Sequence, residues 1–136
     1  MWIGFSMQTA TDDVVSTIMA RWATAFGSLD AGALASLYAR NAFFFGSNPN
    51  LYRGKDGVQA YFEGLPRWSS STVHFTDVRT AHAAPDVINV AGVATFVVEA
   101  NAEPLQVKIT WVIIREGGEW KIASHHVSSK TPLIGQ

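Results

Sequence analysis

The 136-residue chain is 48% hydrophobic and only 15% charged, against about 25% charged residues in an ordinary globular domain, so it is not intrinsically disordered. Ten Lys and Arg balance eleven Asp and Glu to a net charge of −1, which argues against nucleic acid and anionic membrane surfaces as partners, because both are held by clustered cations. With no cysteine, disulfides, thiolate metal sites and cysteine nucleophiles are excluded.

In chain order, residues 1–11 read as a disordered or loosely ordered lead, with Met1 or Met7 as the start. The lead has no Lys or Arg ahead of its short apolar stretch, so it lacks the charged region of a secretory signal. No apolar run approaches the ~18–20 residues of a membrane span, and a cytoplasmic location is expected. A single domain is expected over residues 12–132. From Asp12 to Phe26 the apolar stripe Val14, Val15, Ile18, Met19, Trp22 and Phe26 predicts an amphipathic helix, closed by Gly27. Asp30 caps a second helix running to about Ala39. Ala42 to Phe45 reads as a short strand, broken by Gly46-Ser47-Asn48-Pro49-Asn50. A third helix runs from Lys55 to Leu65 and stops at Pro66. The period then changes to that of strands, expected at 72–82, 87–100, 105–116 and 119–129, with Gly117-Gly118 as a hairpin signal. Three helices and a short strand followed by an antiparallel meander predict an α+β fold, with the helices on one face of a curved sheet.

Leu105, Val107, Ile109, Trp111 and Ile113 share the face turned to the helices. The opposite face is polar at Gln106, Lys108 and Thr110 but apolar at Val112 and Ile114, and the strand before it is apolar on both faces. Such an outer face predicts cover by a second copy, hence a homodimer. In the last strand, strict alternation sends Trp120, Ile122, Ser124, His126 and Ser128 inward and His125 outward. One bulge after Ile122 reverses this and puts His125 inside. An inner face that turns polar at one end predicts an open-ended pocket.

The order of these elements resembles the nuclear transport factor 2-like superfamily, a cone-shaped α+β barrel of three N-terminal helices packed on a strongly curved, mostly antiparallel sheet. The opening pattern lies in Trp22 to Phe45, through Ser28-Leu29-Asp30, Leu37-Tyr38-Ala39 and Asn41-Ala42-Phe43. Gly54-Lys55-Asp56-Gly57-Val58 through Tyr61-Phe62 is similar to the third helix of the superfamily. Trp120-Lys121-Ile122-Ala123-Ser124-His125-His126-Val127-Ser128 resembles the closing strand of one branch. That branch holds the calcium/calmodulin-dependent kinase association domain and small bacterial SnoaL-like proteins. The resemblance covers residues 12–132 and implies a fold rather than one activity, since the fold hosts enzymes, binding modules and assembly domains. Carried over from ketosteroid isomerase, the tyrosine position falls on Trp22 and the base position on Gly46, so that chemistry is not supported. The catalytic sets of scytalone dehydratase and limonene epoxide hydrolase do not assemble from these motifs either.

Among the histidines, His126 is the candidate acid–base group, with Asp77 as its candidate carboxylate; the plainer role for His126 is a hydrogen bond to serine or backbone. His74 and His82 lie about 26 Å apart along an extended strand, too far to share a metal, and no metal or cofactor is expected. The candidate pocket is lined by Trp22, Phe26, Phe43, Phe45, Trp68 and Trp111, with Ser124 and His126 at its polar end. The expected function is binding of a small apolar or aromatic metabolite by a dimer. The alternatives are an isomerase, cyclase or dehydratase using His126, and an assembly module with a vestigial cavity.

Overall fold

The computed structural model describes residues 2–99 and 103–135, with side chains from residue 8 onward. Helix α1 spans Trp2–Gly27, so the helix expected from Asp12 begins earlier, and residues 2–11 are helical backbone in place of a loose lead. No proline interrupts that stretch, and Gln8 Nε2 donates to Asp12 Oδ1 and to Thr80 Oγ1, both at 2.9 Å. The buried stripe of α1 is Val15, Ile18, Met19, Trp22 and Phe26.

The turn after α1 is closed by Leu29 and not by Gly27. Leu29 takes φ 51°, its N–H donates to Phe26 O at 2.9 Å, and the Asp30 N–H donates to Ala25 O at 2.9 Å. This is a left-handed helix cap carried by a residue with a Cβ, a conformation that costs about 1–2 kcal/mol. Asp30 then accepts from Ala33 N at 3.0 Å and caps helix α2, Ala31–Ala35.

Helix α2 stops well short of the expected Ala39, and strand β1 occupies Tyr38–Phe45. The cause is tertiary. Tyr38 pairs with Ile122 of the last strand, and Ile122 N donates to Leu37 O at 2.9 Å, so sheet pairing wins over local helix propensity. A short strand β2, Leu51–Arg53, was not expected; it pairs antiparallel with the end of β1. Helix α3 is Gly54–Glu63. Strands β3 (Ser71–Ala84), β4 (Val87–Val98), β5 (Leu105–Glu116) and β6 (Glu119–Ser129) follow the expected meander closely. The curved, unclosed sheet has the order β2-β1-β6-β5-β4-β3, with only β1 and β6 parallel. Its inner face, including Ile88, Val90, Ile109, Trp111, Ile113 and Ile122, forms one core with α1 and α3.

Of the register irregularities in the sheet, two, one in β3 and one in β6, bear on this face. In β3, Thr76 pairs with Val93 and Arg79 with Ala91, and Asp77 between them takes φ 53°. Gly92 lies opposite, where a Cβ would come within 3.3 Å of Thr76 O and of Val78 Cγ2. In β6, Val112 pairs with Ser124 but Ile113 pairs with Ile122, which leaves Ala123 as the extra residue. The second bulge overturns strict alternation. His125 is buried on the inner face, and His126 and Ser124 belong to the outer one.

Candidate functional site

Between the inner face of the sheet, α1 and α3 lies a cavity of about 290 Å³. Helix α1 contributes Trp22 and Phe26, β1 contributes Phe44, and α3 contributes Tyr61 and Phe62. Leu65, Pro66 and Trp68 close one side, and Phe96, Leu105, Val107, His125 and Val127 form the floor. No charged side chain lines it among the described residues. A wider hollow of about 500 Å³ between α1 and β3, bordered by Asp12, Met19 and His74, is an open surface groove, without the aromatic enclosure of the first.

The rings of the wall interlock. Trp22 stacks on Phe26 at 5.5 Å and meets Phe62 and Phe75 edge-on, each at 5.8 Å. These are the offset and T-shaped arrangements that aromatic quadrupoles favour. Behind the wall runs a chain of buried polar groups. Trp22 Nε1 donates to Tyr38 Oη at 3.0 Å, and Tyr38 Oη lies 2.7 Å from His125 Nδ1. His125 is only 4% exposed, with Phe44 at 4.7 Å and Trp111 at 5.5 Å between ring centres. Burial, reinforced by the neighbouring His126, pushes the His125 imidazole down to about 3, so the ring is neutral at physiological pH. Burial also raises the Tyr38 phenol far above its ordinary range, which keeps its proton on the oxygen.

A second polar point sits near the end of β1. Tyr61 Oη accepts from Ser47 N at 2.9 Å and lies 2.6 Å from Ser47 Oγ. The Tyr61 ring lies over Gly46: a Cβ there would be 2.5 Å from Tyr61 Cζ. Gly46 is the position onto which the ketosteroid isomerase resemblance puts a carboxylate base, and Tyr61 fills the space such a side chain would need.

The sequence-predicted site is assembled only in part. Trp22, Phe26 and Trp68 line the cavity. Phe43 and Phe45 do not, because the pleat of β1 turns them outward, 53% and 39% exposed, and turns Phe44 in. Trp111 is fully buried behind His125, packed on Phe75 at 5.7 Å, and its Nε1 has no hydrogen-bond partner among the described residues. Ser124 pairs with Val112 and Phe43 on the outer face. His126 is exposed there, 5.5 Å from the Phe45 ring. Asp77 is exposed at the β3 bulge and bonds to neither histidine among the described residues. The proposed His126–Asp77 pair therefore does not exist. His125 was foreseen only as the outcome of a bulge after Ile122, which is present, and Phe44, Tyr61 and Tyr38 were missed. His125 and Phe44 depend on register, and Tyr38 was hidden in the expected second helix. His82 is held by Thr11 Oγ1 and Pro85 O, each at 2.9 Å. Among the described residues no three His, Asp or Glu side chains are grouped to hold a metal ion.

A neutral imidazole with no carboxylate beside it is a poor acid–base catalyst but a good fixed hydrogen-bonding group. Its burial has a consequence for stability. Between the ordinary imidazole value of 6.5 and the folded value of about 3, the unfolded chain binds a proton that the folded chain does not. Stability is therefore lost as the pH falls below about 6.5, at up to about 1.4 kcal/mol per pH unit. Urea denaturation between about pH 6.5 and 5, above the carboxylate range, should show this slope, and His125→Gln should reduce it.

Many solved structures share the fold, among them the following three. A provisionally assigned scytalone dehydratase from Novosphingobium aromaticivorans is 13% identical, with 93% of this chain and 89% of that chain covered and a TM-score of 0.83. A provisionally assigned calcium/calmodulin-dependent protein kinase II association domain from Xanthomonas campestris is 22% identical, with 88% and 87% covered and a TM-score of 0.77. A type 2 hexachlorocyclohexane dehydrochlorinase is 17% identical, with 95% and 93% covered and a TM-score of 0.74. No curated protein matches the chain significantly by sequence. The SnoaL-like domain profile matches residues 15–132. With that match over most of its length, the chain belongs to the SnoaL-like domain family, on the nuclear transport factor 2-like fold.

Proposed function

We propose that the protein binds a small, largely apolar or aromatic molecule in the cavity between α1, α3 and the sheet. The observation that carries this reading is a partly open, uncharged, aromatic-walled cavity of about 290 Å³ with one neutral imidazole in its wall. Its volume is near the lower end of the ~300–1,000 Å³ usual for ligand pockets, which suits a molecule of about two fused rings. Catalysis by His125 is the second reading, favoured by its hydrogen bond to Tyr38 at 2.7 Å. The phenol supplies no negative charge to stabilise an imidazolium, so binding is the better-supported role. Assembly alone is the third reading.

A naphthalene-type probe should quench the fluorescence of Trp22 and Trp68, which line the cavity. Filling the space with Val107→Trp should abolish the saturable quench and leave the circular dichroism spectrum intact. Absence of saturable binding by any uncharged aromatic up to millimolar concentration would contradict the reading.

We also propose that two copies pair through the outer face of the sheet. Phe43, Phe45 and Leu51 are exposed around β1 and β2, and Val112 and Ile114 of β5 are half-buried on the same side. Sedimentation at micromolar concentration should give a dimer. Val112→Lys should shift it toward monomer, because a charge would enter an apolar contact. A monomeric wild-type chain at that concentration overturns the pairing.

A further inference from the structure

Trp22, Tyr38 and His125 form a chain whose proton positions follow from what each group can do. The indole Nε1–H only donates, so Tyr38 Oη accepts from it, at 3.0 Å. Tyr38 has one proton left to place, and His125 Nδ1 is 2.7 Å away. If Nδ1 accepts that proton, both contacts of the chain are made and the Tyr38 proton has an acceptor. If Nδ1 carried its own proton, Tyr38 would accept twice and its hydroxyl hydrogen would be left buried without a partner, at a cost of about 1–3 kcal/mol. The imidazolium ion would create the same orphan. The ring's remaining proton therefore sits on Nε2. That nitrogen has no hydrogen-bond partner among the described residues, yet it is not one of their fully enclosed unpaired atoms. The ring is part of the cavity wall, and we take Nε2 to be reached from that cavity.

We infer that Tyr38 is a positioning residue that holds His125 as the Nε2–H tautomer, and that the cavity thereby selects a neutral carbonyl compound, an aryl or alicyclic ketone, whose oxygen accepts from Nε2–H. The inference rests on the cavity being a ligand site. A hydroxyl compound can meet Nε2–H only through its oxygen, and its own proton then needs an acceptor, whereas the two hydroxyls of the wall, Ser47 Oγ and Tyr61 Oη, are already paired with each other at 2.6 Å. A carboxylate would accept the same hydrogen bond, but the wall holds no cation to balance a buried charge. Trp22 fixes the chain from its far end and is in the wall itself, so the donor and the apolar surface are set by one packed unit.

The first test needs no ligand. The ¹⁵N–¹H correlation spectrum of the imidazoles at pH 7 should show His125 as the Nε2–H tautomer, and Tyr38→Phe should move it toward the Nδ1–H form or a mixture. An Nδ1–H tautomer in the wild type, or a pattern that Tyr38→Phe leaves untouched, overturns the positioning role. The second test compares 2-acetylnaphthalene, 1-(2-naphthyl)ethanol, 2-naphthoate and naphthalene by tryptophan quenching. The ketone should bind roughly tenfold more tightly than naphthalene, the worth of one buried hydrogen bond, and more tightly than the alcohol and the carboxylate. In His125→Phe the ratio of ketone to naphthalene affinity should fall to within about twofold, and in Tyr38→Phe it should fall in proportion to the fraction of the ring that leaves the Nε2–H form. Naphthalene binding with no ketone preference overturns the selectivity and leaves the cavity reading standing. Failure of all four compounds to bind overturns the cavity reading and the selectivity with it, while the tautomer result is judged by itself.

Discussion

One extra residue in β6 decides the chemistry of the interior. Ala123 is accommodated as a bulge between the pairs Val112–Ser124 and Ile113–Ile122. A strand has a side-chain period of two, so a single inserted residue turns every later side chain to the other face. Trp120 and Ile122 precede the bulge and His125 and Val127 follow it, and Ile122, His125 and Val127 all serve the inner face. Without the bulge, exposed His126 and Ser128 would point into an aromatic core, and His125 would be in solvent. The Tyr38 hydroxyl would then be buried with a donor, Trp22, and no acceptor for its own proton.

Strand β1 depends on the same arrangement. Its parallel pairing with β6 slips between Tyr38 and Phe43, so that Tyr38 is opposite Ile122 and Phe44 is opposite His125. Irregularities in both strands bring Tyr38 Oη and His125 Nδ1 to 2.7 Å, and the aromatic shell of Trp22, Phe44 and Trp111 then removes water from the imidazole. Desolvation without a carboxylate neighbour keeps the ring neutral. The cavity wall is thus uncharged and aromatic, with one buried imidazole held by Tyr38 and the paired hydroxyls of Ser47 and Tyr61 as its polar points.

Much of this was readable from residue order alone. The strands of the meander were legible because alternation in Leu105–Ile113 and the Gly117-Gly118 turn are local signals, and Gly117 and Gly118 do adopt positive φ, 60° and 81°. The family was legible for a similar reason: its markers are spread in fixed order along the chain. The identity of the inward histidine was not, because a bulge is a property of strand pairing and Ala123 carries no mark of it. Tyr38 was hidden by its flanks, since Leu37-Tyr38-Ala39-Arg40 is acceptable helix and becomes strand only by pairing with Ile122. Phe43, Phe44 and Phe45 are indistinguishable by type, and only register selects Phe44 for the cavity. The absent carboxylate at Gly46 was visible in the sequence; its reason, the Tyr61 ring over that Cα, was not.

The account stands on His125, not His126, being the histidine in the aromatic wall, and a nuclear Overhauser spectrum of the assigned rings tests this directly. The ring protons of His125 should show cross-peaks to Phe44 and Trp111, whose ring centres lie 4.7 Å and 5.5 Å away, while those of His126 should show them to Phe45. Cross-peaks from His126 to Trp111 or Phe44, with His125 showing none, would remove the bulge at Ala123 and the site built on it.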